Sequence, residues 1–377
     1  MFCEISNRIR LASESSWGRR GTVYLVGRST QLRHALERAV RFASVGSPVL
    51  VTGESGVGKE LFARALYLLG QRCGRPFYSV NCAQYQNDEL LVSELFGHRK
   101  GSFTGAVSDR DGLFQAADGG VVFLDEVGEL TPQAQAMLLR VLSEGEVRPL
   151  GNADVRRVDV RVIAATNRPL RQMVEEGRFR PDLYYRLRYL QLHVPPIRAR
   201  ADDWRLLVDF YLNVANRNGN GTKTLSSASW EVLGRHDWPG NVREIRSVVD
   251  VGHCLAEGPV IEPENLYDVL REEDAEIKDV RRDDDVVSRV LAQMVEQEST
   301  FWEAVREPFL ARDLNRREVR EIVDRGLRES GWSYKALLEL FNLPPDEYLR
   351  FMDFLRHHRL KPPSRGAGPL VHRTEVY

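Results

Sequence analysis

Cysteine is scarce. The 377 residues hold four, Cys3, Cys73, Cys82 and Cys254. None of their spacings is that of a metal site, and thiols so sparse and scattered fit reduced side chains in a cytoplasm. Long apolar runs are missing too: none reaches the roughly eighteen residues of a membrane span, so a membrane partner is not expected. The start, Met1-Phe2-Cys3-Glu4, lacks the charged-then-apolar pattern of a secretory signal. Excess charge of either sign is absent. A net charge of −1 gives the whole chain no electrostatic signature of nucleic-acid binding, so any basic patch is local. There is no internal repeat. What remains is an ordinary globular composition, 42% hydrophobic and 28% charged, over a length that suits two or three domains.

One stretch organises the rest. Pro48-Val49-Leu50-Val51-Thr52 reads as a short buried strand. Gly53-Glu54-Ser55-Gly56-Val57-Gly58-Lys59-Glu60 follows, and then an apolar helix pattern, Leu61 to Leu69, closed by Gly70. Strand, glycine loop and helix is the order a phosphate-binding loop needs. Glycines let backbone N–H groups turn towards phosphate oxygens, the helix adds the positive end of its dipole, and Lys59 reaches the terminal phosphates. Glu60 stands where a Ser or Thr hydroxyl commonly meets Mg²⁺, so the metal must be held mainly from elsewhere. Gly119-Gly120-Val121-Val122-Phe123-Leu124-Asp125-Glu126 supplies that place. A buried strand ending in adjacent carboxylates is costly unless a cation sits there. Asp125 can orient Mg²⁺ and its waters, and Glu126 can polarise the water that attacks a γ-phosphate. The cofactors expected are ATP and Mg²⁺.

Three further strands read from the sequence: Phe77 to Asn81, Val160 to Asn167, and Tyr189 to Val194. Helical patterns lie between them, one from Thr131-Pro132 to Gly145. The fold class expected is α/β, a parallel sheet with helices on both faces. Thr52/Gly53, Asn81, Asp125 and Asn167 then fall at strand C-terminal ends, the edge where such sheets bind ligands. Gly101-Ser102-Phe103-Thr104-Gly105-Ala106, bounded by glycines around an aromatic, reads as a projecting loop. The expected divisions are a short disordered lead over 1–22, the α/β ATPase region over 23–196, and a helical lid over 197–268. A charged linker over 269–285, a C-terminal helical unit over 286–361 and a loose tail over 362–377 complete the chain.

Taken together, these motifs resemble the sigma-54-dependent transcription activators, AAA+ ATPases that remodel a stalled RNA polymerase holoenzyme. The likeness runs from about Val26 to Leu266. Its most specific piece is Gly101–Ala106, close to the family's GAFTGA loop that touches sigma-54, with Ser102 in place of Ala. The resemblance implies that Gly53, Glu54, Ser55, Gly56, Val57, Gly58, Lys59 and Glu60 bind nucleotide. Asn81 would be the switch residue that holds Glu126 back, and Thr166 and Asn167 the first sensor. Gly177 to Arg186 matches the finger segment, so Arg180 and Arg186 would reach a neighbour's ATP. Trp238 to Glu244 matches the second sensor, with Arg243 near the γ-phosphate. The implied partners are the sigma-54 RNA polymerase holoenzyme and further copies of the chain in a ring, a hexamer.

At the two ends the sequence departs from the family. The residues ahead of the ATPase region are too few to fold alone, so control is expected in trans, from expression level or from the C-terminal unit. At the other end, Ser333–Phe341 and Pro345–Arg359 have the lengths of a helix-turn-helix with Asn342 at the turn. The second of these begins Pro344-Pro345-Asp346-Glu347, acids that DNA phosphates would repel. Its basic residues, Arg350, Arg356, His357, His358 and Arg359, come late. DNA binding by this unit and a degenerate motif used for protein contacts both remain open. The two functional readings are therefore a ring-forming activator, or a co-activator subunit without its own operator.

Overall fold

The computed structural model describes residues 2–270 except 86–87, 104–105, 152–153, 219–220 and 268. Beyond them it describes 287–361 except 288–289, 292, 295–298, 312–313, 315 and 359. The chain divides into two compact units, Met1–Leu270 and Arg271–Tyr377. The charge run and the tail expected at 269–285 and 362–377 fall almost wholly outside the described residues. No described helix is long and apolar enough to cross a membrane.

Five strands form the central sheet of the first unit: β1 (Val49–Thr52), β2 (Phe77–Asn81), β3 (Val121–Asp125), β4 (Arg161–Thr166) and β5 (Leu190–His193). Their order is β2-β3-β4-β1-β5 and every pairing is parallel. Side chains alternate across the sheet, as a two-residue period requires. Leu50, Val122, Leu124, Val162 and Ala164 enter one core with Leu91, Leu95, Leu138 and Leu183. Val49, Val51, Val121, Phe123 and Ile163 enter the other with Leu36, Phe62 and Leu66. Burial on both faces explains why the strands read as continuous apolar runs. The helix Pro132–Glu144 has the expected ends: Thr131 Oγ1 accepts from the Ala134 N–H, and Gly145 closes it at φ 67°.

After Pro195-Pro196 the chain forms the lid helices Asp203–Asn218, Ser227–Arg235 and Asn241–Leu255. They pack around Val208, Trp238, Ile245 and Val248.

The expectation of a disordered lead is corrected. Glu4–Trp17 is a helix capped by Cys3, with Ile9 fully buried. Trp17 stacks on Tyr67 at 5.7 Å, and Ser13 Oγ accepts from the Val23 N–H at 2.8 Å. The buried stripe is Ser6, Ile9 and Ser13, so two of its three positions are polar and no hydrophobic period shows in the sequence.

The second unit has its own core, with Phe301, Ile322, Val323, Phe341, Phe351 and Leu355 at its centre. Its helices include Arg316–Glu329, Tyr334–Leu340 and Tyr348–His357, the last preceded by a 3₁₀ turn, Pro345–Glu347.

Candidate nucleotide site and its output loop

The C-terminal ends of β1, β3 and β4 meet beneath the lid. The loop after β1 turns at Gly56, where φ is 75° and an added Cβ would stand 2.2 Å from the Gly240 carbonyl oxygen. Only glycine tolerates both the left-handed backbone and that approach. Lys59 opens the helix Lys59–Leu68 and is only 7% exposed. Its Nζ donates to the carbonyls of Gly53 and Glu54 at 3.1 Å each and lies 3.6 Å from Glu126 Oε1.

Asp125 and Glu126 leave β3 side by side. Glu126 has a left-handed backbone (φ 53°), which turns its side chain into the site. Its own N–H donates to Asp125 Oδ1, and its Oε2 accepts from the Asn167 N–H at 3.2 Å. Burial, with the neighbouring Glu126 charge second, pushes the Asp125 carboxyl above its ordinary range, against the pull of Lys59. The same negative potential reaches Cys82. Burial first, then Asp125 and Glu126, push that thiol up to about 12, so it stays protonated and unreactive.

Asn81 lies beside Asp125 in the β2–β3 register, but its Oδ1 accepts from the Ala83 N–H at 2.9 Å. In this conformation Glu126 is engaged by Lys59 and the Asn167 amide, not by Asn81. Thr166 is buried, and its Oγ1 accepts from the Arg168 N–H. From the lid, Arg243 donates to Ser55 Oγ at 3.2 Å. Ser55, Lys59, Asp125, Glu126 and Arg243 line a cleft of about 310 Å³ with Gly58, Glu60, Leu61 and two lid residues the sequence reading missed, Tyr211 and Arg246, whereas Asn81, Thr166 and Asn167 are not part of its lining. A second feature was not anticipated: an apolar slot beside the loop, lined by Val26, Leu32, Val57, Leu61, Leu207 and Val242. Its walls come from segments far apart in the chain, so no local motif announces it.

Glu54, expected among the nucleotide ligands, turns its carboxylate away to Arg198 and Asn241. Glu60 pairs with Arg64 one helical turn on.

Arg180 and Arg186 stand apart from this cleft. Arg180 is exposed and paired with Asp182 at 2.8 Å. Arg186 donates through Nε and Nη2 to the Leu142 carbonyl. It lines a larger cleft, about 810 Å³, with Gly46 and Pro48 at the start of β1, the opposite edge of the sheet. That cleft holds neither the glycine loop nor the carboxylate pair, so it is not where phosphate chemistry is built.

The loop at Gly101–Ala106 sits on a short hairpin, Gly97–His98 paired with Arg110–Asp111. The Gly101 N–H donates to the Ala106 carbonyl, and the Ala106 N–H to that of Phe103. Thr104 and Gly105 lie outside the described residues. Phe103 is half-buried, edge-on to His98 at 5.1 Å, and His98 Nδ1 is 2.6 Å from Ser93 Oγ. A second hairpin, Glu146–Val147 with Arg156–Arg157, abuts the first: the Arg99 N–H donates to Leu150 O and the Leu150 N–H to Gly97 O.

In the C-terminal unit the expected turn residue Asn342 has φ 53°, and its amide donates to the Ser299 carbonyl. The cations on the helix Tyr348–His357 are answered locally. Arg350 pairs with Glu347 and lies over the Trp302 ring at 4.6 Å, and Arg356 pairs with Asp353. Phe351, Met352 and Leu355 face the core, while Leu349 is 73% exposed.

A family profile described as the Sigma-54 interaction domain matches residues 25–193, and one described as the AAA+ ATPase lid domain matches 198–283. The Nif-specific regulatory protein of Azotobacter vinelandii is 46% identical over 237 residues, 63% of this chain and 45% of that protein. The DNA-binding transcriptional regulator NtrC of Rhizobium meliloti (strain 1021) is 43% identical over 249 residues, 66% of this chain and 51% of its own. The chain thus spans about half the length of the curated relatives it matches. Crystal structures of NtrX from Brucella abortus superpose with a TM-score of 0.60. One is 28% identical, covering 88% of this chain and 69% of its own. Another, in complex with ATP, is 26% identical, covering 90% and 70%. Sheet order, glycine loop, carboxylate pair, lid and matching profiles lead to one assignment: the chain belongs to the sigma-54-dependent transcription activators of the AAA+ class.

Proposed function

We propose that the chain is a ring-forming ATPase that hydrolyses ATP in the 310 Å³ cleft and uses the energy, through Gly101–Ala106, to remodel the sigma-54 RNA polymerase closed complex. The observation that carries this reading is the convergence of Lys59, Asp125, Glu126 and Arg243 on one cleft at the C-terminal edge of the sheet. Lys59 and the loop amides bind the phosphates. Asp125 would hold Mg²⁺, which when bound supplies charge neutralisation at the phosphates. Among the described residues no group of three or more His, Cys, Asp or Glu side chains could hold a metal ion. A site that takes Mg²⁺ through one carboxylate plus substrate phosphates fits that finding. Glu126 polarises the attacking water, and its release from Lys59 would make that carboxylate available.

Arg186, on the opposite edge of the sheet from its own cleft, would serve a neighbour's nucleotide in a homo-oligomeric ring of the hexameric kind acting in the cytoplasm. Gly101–Ala106, closed by its own backbone hydrogen bonds on a hairpin that continues from the helix Asp88–Phe96, is the output element.

A second reading concerns residues 286–361. Arg350 and Arg356 each pair with an acid three residues away and Leu349 is exposed, which favours protein contact over operator reading by this unit. The test of the main proposal is promoter opening in vitro with purified chain, sigma-54 holoenzyme and a sigma-54 promoter. ATP-dependent opening supports it, and opening that is absent with ATP or indifferent to it refutes it.

A further inference from the structure

A carboxylate in the crown of a phosphate loop is electrostatically misplaced, since its charge lies near the phosphate charge the loop exists to bind. Here Glu54 is answered by the lid. Both its oxygens meet the Arg198 guanidinium, one of them 2.7 Å from Nη1, and Asn241 Nδ2 donates to Oε2 at 3.1 Å. This holds the carboxyl below its usual range, with Arg198 the main cause. Asn241 does more. It is fully buried and takes a left-handed backbone, φ 55°, which Asn tolerates better than other non-glycine residues. Its Nδ2 also donates to the carbonyls of Ser55 and Pro239, and its Oδ1 accepts from the Ile197 N–H at 2.9 Å. The next residue, Val242, donates its N–H to the Gly56 carbonyl at 3.0 Å. Arg243 follows, with its guanidinium on Ser55.

We infer that Glu54, Arg198 and Asn241 form a lock between the crown of the phosphate loop and the lid, and that this lock positions Arg243 over the nucleotide. One side chain, Asn241, joins the loop, the entry to the lid and the turn before the lid helix. The lid cannot move relative to the phosphates without breaking these bonds together, so Arg243 is held only while the crown keeps its shape. All three are positioning residues acting through Arg243. The inference rests on the proposed nucleotide site.

The test has two arms on the full chain. In the first, a non-hydrolysable ATP analogue and ADP are titrated into wild type, Glu54→Gln, Arg198→Gln, Arg243→Ala and the double variants. Each lock variant should narrow the preference for the ATP analogue by about three- to tenfold, and Arg243→Ala should add less than about twofold once Glu54 is Gln. A full, additive Arg243→Ala effect in the Glu54→Gln background overturns the lock. The second arm needs no nucleotide. Hydrogen exchange of peptides covering 53–58 and 238–243 should quicken about tenfold in Glu54→Gln and Arg198→Gln. Unchanged exchange overturns the lock as well. Wild type that binds neither nucleotide refutes the proposed site, while the exchange arm still decides the lock. Asn241 is fully buried with four hydrogen bonds and its replacement endangers folding, so the exposed Glu54–Arg198 pair carries the experiment.

Discussion

The nucleotide cleft and the last helix of the C-terminal unit both present arginines, in opposite electrostatic settings. Arg243 reaches the phosphate loop from 188 residues away, and among the described residues it makes no ion pair. Arg350 and Arg356 each pair with an acid three residues away. A guanidinium kept clear of acids retains its charge for an outside anion. One that is answered within its own turn stabilises little and offers little. The same contrast divides the two finger candidates: Arg180 is paired with Asp182, whereas Arg186 donates to a carbonyl and, among the described residues, makes no ion pair. The account therefore assigns ligand work to Arg243 and Arg186, and local work to Arg180, Arg350 and Arg356.

The largest expected effect follows at once. Arg186→Ala should lower ATP hydrolysis by about 10³–10⁵-fold, the worth of an arginine finger, and Arg180→Ala by far less. Mixed with an inactive Lys59→Ala protein, Arg186→Ala should recover activity at mixed interfaces. Steady-state ATPase assays on rings shown to be mixed will check this, and equal losses at both arginines would erase the contrast. Next in size is Glu126→Gln. Loss of the polarising carboxylate should slow turnover by about 10²–10⁴-fold with ATP binding retained, as equilibrium binding alongside single-turnover kinetics will reveal.

Asp125 gives a smaller effect of unusual sign. Its carboxyl is pushed up, so the folded state takes its proton more readily than the unfolded chain does. Without nucleotide, stability should rise as pH falls from neutrality towards that raised value. Asp125→Asn, which removes the buried like charge, should raise the melting temperature by about 2–4 °C while abolishing hydrolysis. Calorimetry across pH settles the point, and a lower melting temperature would contradict it. The smallest effect belongs to the C-terminal unit. Arg356→Ala should change stability by less than about 0.5 kcal/mol and leave DNA affinity in a gel shift almost unaltered. A large loss of DNA binding would show that its pairing with Asp353 does not silence it.

The phosphate loop, the carboxylate pair and all five strands were legible because each depends on local pattern: glycine spacing, a continuous apolar run, acids at a strand end. The helix Glu4–Trp17 was hidden because its buried stripe is mostly serine. The apolar slot and the contributions of Tyr211 and Arg246 were hidden because packing of distant segments creates them. The partners of Glu54 were hidden for the same reason. The residue's place in a glycine loop suggests a nucleotide ligand, and only the fold brings Arg198 and Asn241 to it. Phe103 shows the limit of reading a loop from composition: it packs against His98 at the loop's base.

The central claim is that hydrolysis in the cleft is delivered through Gly101–Ala106. One purified Thr104→Ala protein, assayed for ATP turnover and for promoter opening with sigma-54 holoenzyme, tests it most directly. The account predicts turnover within a few-fold of wild type, with open-complex formation abolished and no sigma-54 complex trapped by an ATP transition-state analogue. A folded Thr104→Ala protein that still opens the promoter normally would contradict it.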